Sequence, residues 1–149
     1  MFGLGKKLGS LFKAAKKVEN RDLMEAIVGG CLLIAAADGE IEKEETARIE
    51  RLLRSNENLQ HFGTEIAKTV ARFTEQLETD FYLGRSKVMK EIREIAGRDQ
   101  DVEDVMLNML AVAKADGEVE PQEKKVFEEI ARELGFRVDP EMYEVRKGA

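Results

Sequence analysis

Apolar positions along this 149-residue chain recur every three to four residues, the spacing of helices rather than strands. Leu23 to Ala37 is apolar on nearly every face, interrupted only by Glu25, and predicts a central helix from about Asp22 to Asp38. Gly29-Gly30 in its middle costs helix propensity but lets another helix approach closely. Ile66, Val70, Phe73, Leu77 and Phe81 predict a helix from about Thr64 to Tyr82. Val88, Met89, Ile92 and Ile95 predict one that ends near Gly97, and Val102, Val105, Met106, Met109, Leu110 and Val112 a third. A last stripe, Val126, Phe127, Ile130 and Leu134, is closed by Gly135-Phe136. Ser55 to Gly63 reads as a polar connection with one short turn, and Asp139-Pro140 as cap and first residue of a short terminal helix.

The pattern repeats. Ala35-Ala36-Ala37-Asp38-Gly39-Glu40-Ile41-Glu42 returns, 78 residues later, as Ala113-Lys114-Ala115-Asp116-Gly117-Glu118-Val119-Glu120. At the same offset Glu25 meets Glu103, Glu45 meets Glu123, Ile49 meets Phe127 and Arg54 meets Arg132. The chain therefore reads as two copies of a helix–acidic loop–helix unit, about 22–54 and 100–132. Gly39 and Gly117 fall where a left-handed residue ends a helix, with Ile41 and Val119 turning back onto it. Pro121 suits a first helical position, making Glu120 the N-cap and Glu123 the third residue. The expected fold is all-α: a bundle of about seven to nine helices with internal pseudo-two-fold duplication, a single domain over 18–149.

Composition narrows the classes. Two prolines, no tryptophan and 43% hydrophobic residues suit a globular helical domain. The net charge of −6 is a sum of unequal parts: residues 1–17 carry five lysines and no acid, leaving 19 basic and 30 acidic groups elsewhere, net −11. An acidic body lacks the basic face that nucleic-acid phosphates require. No apolar run reaches the roughly 20 residues of a spanning helix. The single cysteine, Cys31, can form neither an internal disulfide nor a cysteine-based metal motif, which points to a cytoplasmic protein. His61, the sole histidine, lies in the polar connection. Cys31 sits in an apolar helix where a thiol reacts poorly. With no phosphate loop or dinucleotide fingerprint, enzymatic activity lacks support.

The two loops hold the most distinctive chemistry. Residues 38–45 contain five acids and Lys43, and residues 116–123 contain four acids and no base, so each carries a local −4. Such clustering costs repulsion unless a cation or a helix N-terminus offsets it. Asp38 and Glu45 flank one turn, and Asp116 and Glu123 flank its repeat. Were the corners adjacent, four carboxylates would converge with Glu42 and Glu120 as secondary candidates, a donor set suited to Ca²⁺ or another divalent cation. The spacing is not that of an EF-hand. The competing reading is capping: Glu45 and Glu123 fit the third position of a capping box. Asp38 and Asp116 fit it poorly, because an acid at a helix C-terminus faces the unfavourable end of the dipole.

Residues 1–17 form a basic amphipathic arm. Phe2, Leu4, Leu8, Leu11 and Phe12 recur at helical spacing among Lys6, Lys7, Lys13, Lys16 and Lys17. This suits docking to an anionic membrane surface or a membrane partner, or packing on the chain's own acidic body.

The repeated Ala-x-Ala-Asp-Gly-Glu-[Ile/Val]-Glu-x-x-Glu loop resembles the TerB tellurite-resistance proteins and the wider TerB-like helical domain. Arg54-Ser55-Asn56-Glu57, Asp80-Phe81 before Gly84, and Ala131-Arg132-Glu133-Leu134-Gly135-Phe136 extend the resemblance over essentially the whole chain. It implies a non-enzymatic protein of a bacterial or phage-borne tellurite and stress-resistance system, partnering TerC-type membrane proteins and Ca²⁺-binding TerD-type proteins. The family's acidic metal positions map onto Asp38, Glu45, Asp116 and Glu123. Such a protein would be cytoplasmic, peripheral on the inner membrane. A co-chaperone-like adaptor of the same fold, with the acids as caps, is the alternative.

Overall fold

The computed structural model describes residues 2–145, and of 2–7 and 12–19 only the helical backbone. The described residues form six α-helices, three 3-10 turns and no strand. Helix α1 (Phe2–Ala35) runs into a 3-10 turn at Ala36–Asp38. Then come α2 (Lys43–Arg54), a 3-10 turn at Gln60–Phe62, α3 (Thr64–Thr79), α4 (Phe81–Arg93), α5 (Asp99–Lys114), α6 (Pro121–Leu134) and a 3-10 turn at Pro140–Tyr143. No helix among the described residues is long and apolar enough to cross a membrane.

The C-terminal half of α1 is the axis of the bundle, and all five other helices touch it. Its residues from Leu23 to Ala36 are buried except Glu25. A helix buried all round needs neighbours on every face, and the glycine pair admits two of them. A Cβ on Gly29 would stand 2.8 Å from Val88 Cγ1 of α4, and one on Gly30 2.7 Å from Met109 Sδ of α5. The sequence expected one close approach there; two occur, from two different helices.

Two boundaries differ from expectation. The first helix does not begin near Asp22. It continues without a break from Phe2, carrying the arm on the same axis as the core helix. The helix expected to reach Tyr82 stops at Thr79. Asp80 is extended, at φ −154° and ψ 115°, and its carboxylate accepts a hydrogen bond from the Leu83 N–H at 3.0 Å, starting α4. Phe81 therefore leaves the α3 stripe and is partly exposed. The sharp corner presses α4 onto α3 at Gly84, where a Cβ would collide with the Gln76 carbonyl oxygen.

Ion pairs tie the outer helices together. Arg93 holds Glu133 through two hydrogen bonds at 3.0 and 3.1 Å, joining α4 to α6 in the paired geometry that gives arginine its specificity. Arg98 reaches Asp22 at 3.2 Å, joining α5 to α1. Glu25, the one charge in the apolar run, meets Arg72 of α3 at 3.5 Å and shares a hydrogen bond with Glu91 of α4. Partial burial, that hydrogen bond and the charges of Glu25 and Glu94 push the Glu91 carboxyl up to about 7, against the opposing pull of Arg72.

Two outcomes follow. Gly84→Ala must push α4 off backbone atoms and lowers stability by about 1–3 kcal/mol; an unchanged urea midpoint contradicts the close packing. For Glu91, the folded state holds more protons than the unfolded state between the ordinary glutamate range and about pH 7, so its contribution is lost as pH rises through that window. Glu91→Gln is therefore expected to melt above the wild type at pH 8, with the gap closing by pH 5. A gap independent of pH contradicts the shared proton.

A paired acidic corner

Both loops turn through a glycine with positive φ, 97° at Gly39 and 90° at Gly117. Without a Cβ the backbone enters this region at no steric cost, and the chain reverses into the next helix. Ile41 and Val119 then fold back onto the core, Val119 fully and Ile41 in part. Each following helix opens on a capping box. Glu45 Oε1 accepts from the Glu42 N–H at 3.1 Å, and Glu123 Oε1 accepts from the Glu120 N–H at 2.8 Å. Each bond satisfies an orphan donor at a helix start.

The aspartates also have structural partners, which dipole reasoning from the sequence did not anticipate. Asp38 Oδ1 accepts from the Glu40 N–H at 3.1 Å, bracing the turn locally. Asp116 Oδ1 receives Arg48 Nη1 of α2 at 3.5 Å, across the two loops. Arg48 was missed in the sequence. Its counterpart at the 78-residue offset is Val126, so the repeat itself does not point to it.

The two corners lie within electrostatic reach of each other. Partial burial is the main cause holding the Glu45 carboxyl above its ordinary range. Its bond to the Glu42 N–H opposes this, and the charges of Asp38, Glu42 and Asp116 reinforce it. Glu123 is raised in the same way, first by burial and then by Glu120, Asp116 and Glu45, against its bond to the Glu120 N–H. Glu45 and Asp116 thus act across the loops, as do Glu123 and Glu45. Arg48 is the cation bonded across this field. Among the described residues no three His, Cys, Asp or Glu side chains are grouped so as to hold a metal ion.

The remaining candidate positions have plainer settings. Cys31 is fully buried, and that burial pushes its thiol far above the ordinary range, so it stays protonated and inert. His61 lies on the exposed 3-10 turn and stacks obliquely on Phe62, with centroids 4.2 Å apart. In the arm, Leu8 and Leu11 are exposed. The side chains of Phe2, Leu4, Phe12, Lys6, Lys7, Lys13, Lys16 and Lys17 lie outside the described residues.

Residues 24–141 match the family described as tellurite resistance protein TerB. The co-chaperone protein DjlA of Aliivibrio fischeri is 31% identical over 107 residues, which cover 71% of this chain and 36% of that protein. The chain thus spans about a third of the length of that curated relative. No solved structure matches.

If the corners share one field, removing one charge moves both glutamates. Asp116→Asn is expected to lower the titration midpoints of Glu45 and Glu123 together, followed by carboxyl carbon NMR. Midpoints that stay in place show two independent loops.

Proposed function

Since the chain belongs to the TerB family, we propose that it is a non-enzymatic tellurite-resistance and stress-response protein whose two acidic loops form one receptor face for a divalent cation, with Ca²⁺ favoured, or for a basic surface of a partner. The observation that carries this reading is the contact of Arg48 of α2 with Asp116 of the second loop at 3.5 Å, with the charge of Asp116 felt at Glu45 and that of Glu45 at Glu123. Carboxylates that repel one another across the two loops raise each other's energy, and a bound positive charge lowers it.

Further support comes from the duplication, which we read as a pseudo-two-fold repeat. Both loops carry the same positive-φ glycine and the same glutamate bond to the N-cap amide. Those caps engage one oxygen of each glutamate, and each glutamate feels the charge of the aspartate of its own loop. Arg48 on Asp116 offers a stand-in for the ligand: a cation or a basic side chain would take up the same carboxylate after modest movement of Arg48. The pair is exposed, so displacing it costs about 0–1 kcal/mol. Partners of the TerC membrane type and the TerD type belong to this proposal as suppliers of the cation or of the basic surface.

A second reading has its own support in the similarity to DjlA, a protein named as a co-chaperone. On that reading the fold is an adaptor, and the acids serve only as caps.

Calorimetric titration with Ca²⁺, Mg²⁺, Mn²⁺ and Zn²⁺ separates the cation from the other ligands of the face. The cation reading expects saturable heat from at least one ion, lost in Asp38→Asn/Asp116→Asn, a pair that keeps the acceptor atoms but removes two charges. Absence of heat with all four ions, or heat unchanged in the double variant, removes the cation.

A further inference from the structure

Two places among the described residues leave clustered large apolar side chains in water. One is the N-terminal half of α1, where Leu8 and Leu11 are 48% and 64% exposed. The other is the first turn of α4, where Phe81, Tyr82 and Leu83 are 42%, 83% and 65% exposed. The two aromatic rings there meet edge to face at 5.8 Å between centroids. Phe81 stands at the mouth of a groove of about 900 Å³ bounded by the end of α1, the α3–α4 corner and α6. Leu33, Leu77, Val126 and Ile130 lie along it. Isolated surface leucines are ordinary, but an exposed aromatic ring lining a concavity of this size marks a docking surface.

Charge selects the occupant. Glu40, Glu78, Asp80 and Glu129 surround the groove against Arg85 and Lys125. Arg85 is engaged by Glu129 at 3.1 Å, which leaves an acidic rim. The complementary ligand is an amphipathic helix whose charges are all basic, laid apolar face down. Residues 1–17 spell that helix, with Phe2, Leu4, Leu8, Leu11 and Phe12 among five lysines and no acid. The arm cannot enter the groove of its own chain. Leu8 and Leu33 lie 25 residues apart on one unbroken helix, which holds them about 37 Å from each other.

We infer that the arm of one copy docks in the groove of a second copy, and that reciprocal exchange closes a two-fold dimer. Closure uses both arms and both grooves, so no sticky end remains to propagate a filament. The exchange covers the exposed leucines of the arm and Phe81 of the groove, and sets lysines against the acidic rim. The groove takes in Glu40 of the first loop but none of Asp38, Glu45, Asp116 and Glu123, so failure of the exchange would leave the cation reading intact.

Sedimentation velocity on the full chain tests it with two variants, Leu8→Glu/Leu11→Glu in the arm and Phe81→Glu at the groove. Both replace exposed side chains, and circular dichroism verifies that each is folded. The wild type is expected to dimerise, less tightly as salt rises. Each variant alone is expected to sediment as a monomer, its self-association weakened at least about tenfold. Mixed together, they are expected to form a heterodimer, because the mixture retains one intact arm and one intact groove. A wild type that is monomeric throughout overturns the proposal, including the case where the arm variant loses only binding to vesicles of anionic lipid. So does a groove variant that stays dimeric, since arms would then be pairing with arms, an arm variant that stays dimeric, or a mixture that stays monomeric while the wild type dimerises.

Discussion

The fold depends on one helix being buried from every side. An apolar stretch as long as Leu23 to Ala36 cannot face water, so five helices must surround it. A full-sized residue at Gly29 or Gly30 would hold α4 or α5 away from that axis, and the glycine pair removes the obstacle on both sides. The loss of helix propensity, roughly 1 kcal/mol for each glycine, is small beside the burial it permits. The acidic corner is a consequence of that packing. Because α1 and α5 lie side by side, their C-terminal ends bring the loops at Gly39 and Gly117 into one electrostatic field.

The same packing separates charge by position. The acid-rich loop at Gly39 follows one end of the central helix, while the lysine-rich arm lies at the far end of that same helix. A single rigid element thus keeps the +5 arm and the most acidic surface of its own chain apart. Within the core, Glu25 is tolerated because Arg72 reaches it from α3 at 3.5 Å and offsets the burial of its charge.

Much of this was legible in the residues. The stripes placed α3, α4, α5 and α6, and the repeat placed both loops. Pro121 marked the start of α6, Glu120 its cap and Glu123 the residue that reaches back to it. Three features were not. Phe81 lies four residues after Leu77 and so matched the α3 stripe, because periodicity is blind to a corner made by one capping aspartate. The continuity of α1 crosses the polar stretch Glu19-Asn20-Arg21-Asp22, where no apolar pattern links the arm to the core helix. Arg48 and the groove beside Val126 occupy equivalent positions in the two copies, and they matter where the copies differ rather than where they agree. Side chains that meet only in three dimensions leave no local trace in the chain.

The central claim is that the two loops act as one receptor face. Amide NMR during a Ca²⁺ titration tests it most directly, with the Gly39 and Gly117 resonances as reporters on the two turns. The account predicts that both resonances move along a single saturation curve with one dissociation constant. Movement of only one glycine, or of the two with different constants, would contradict it.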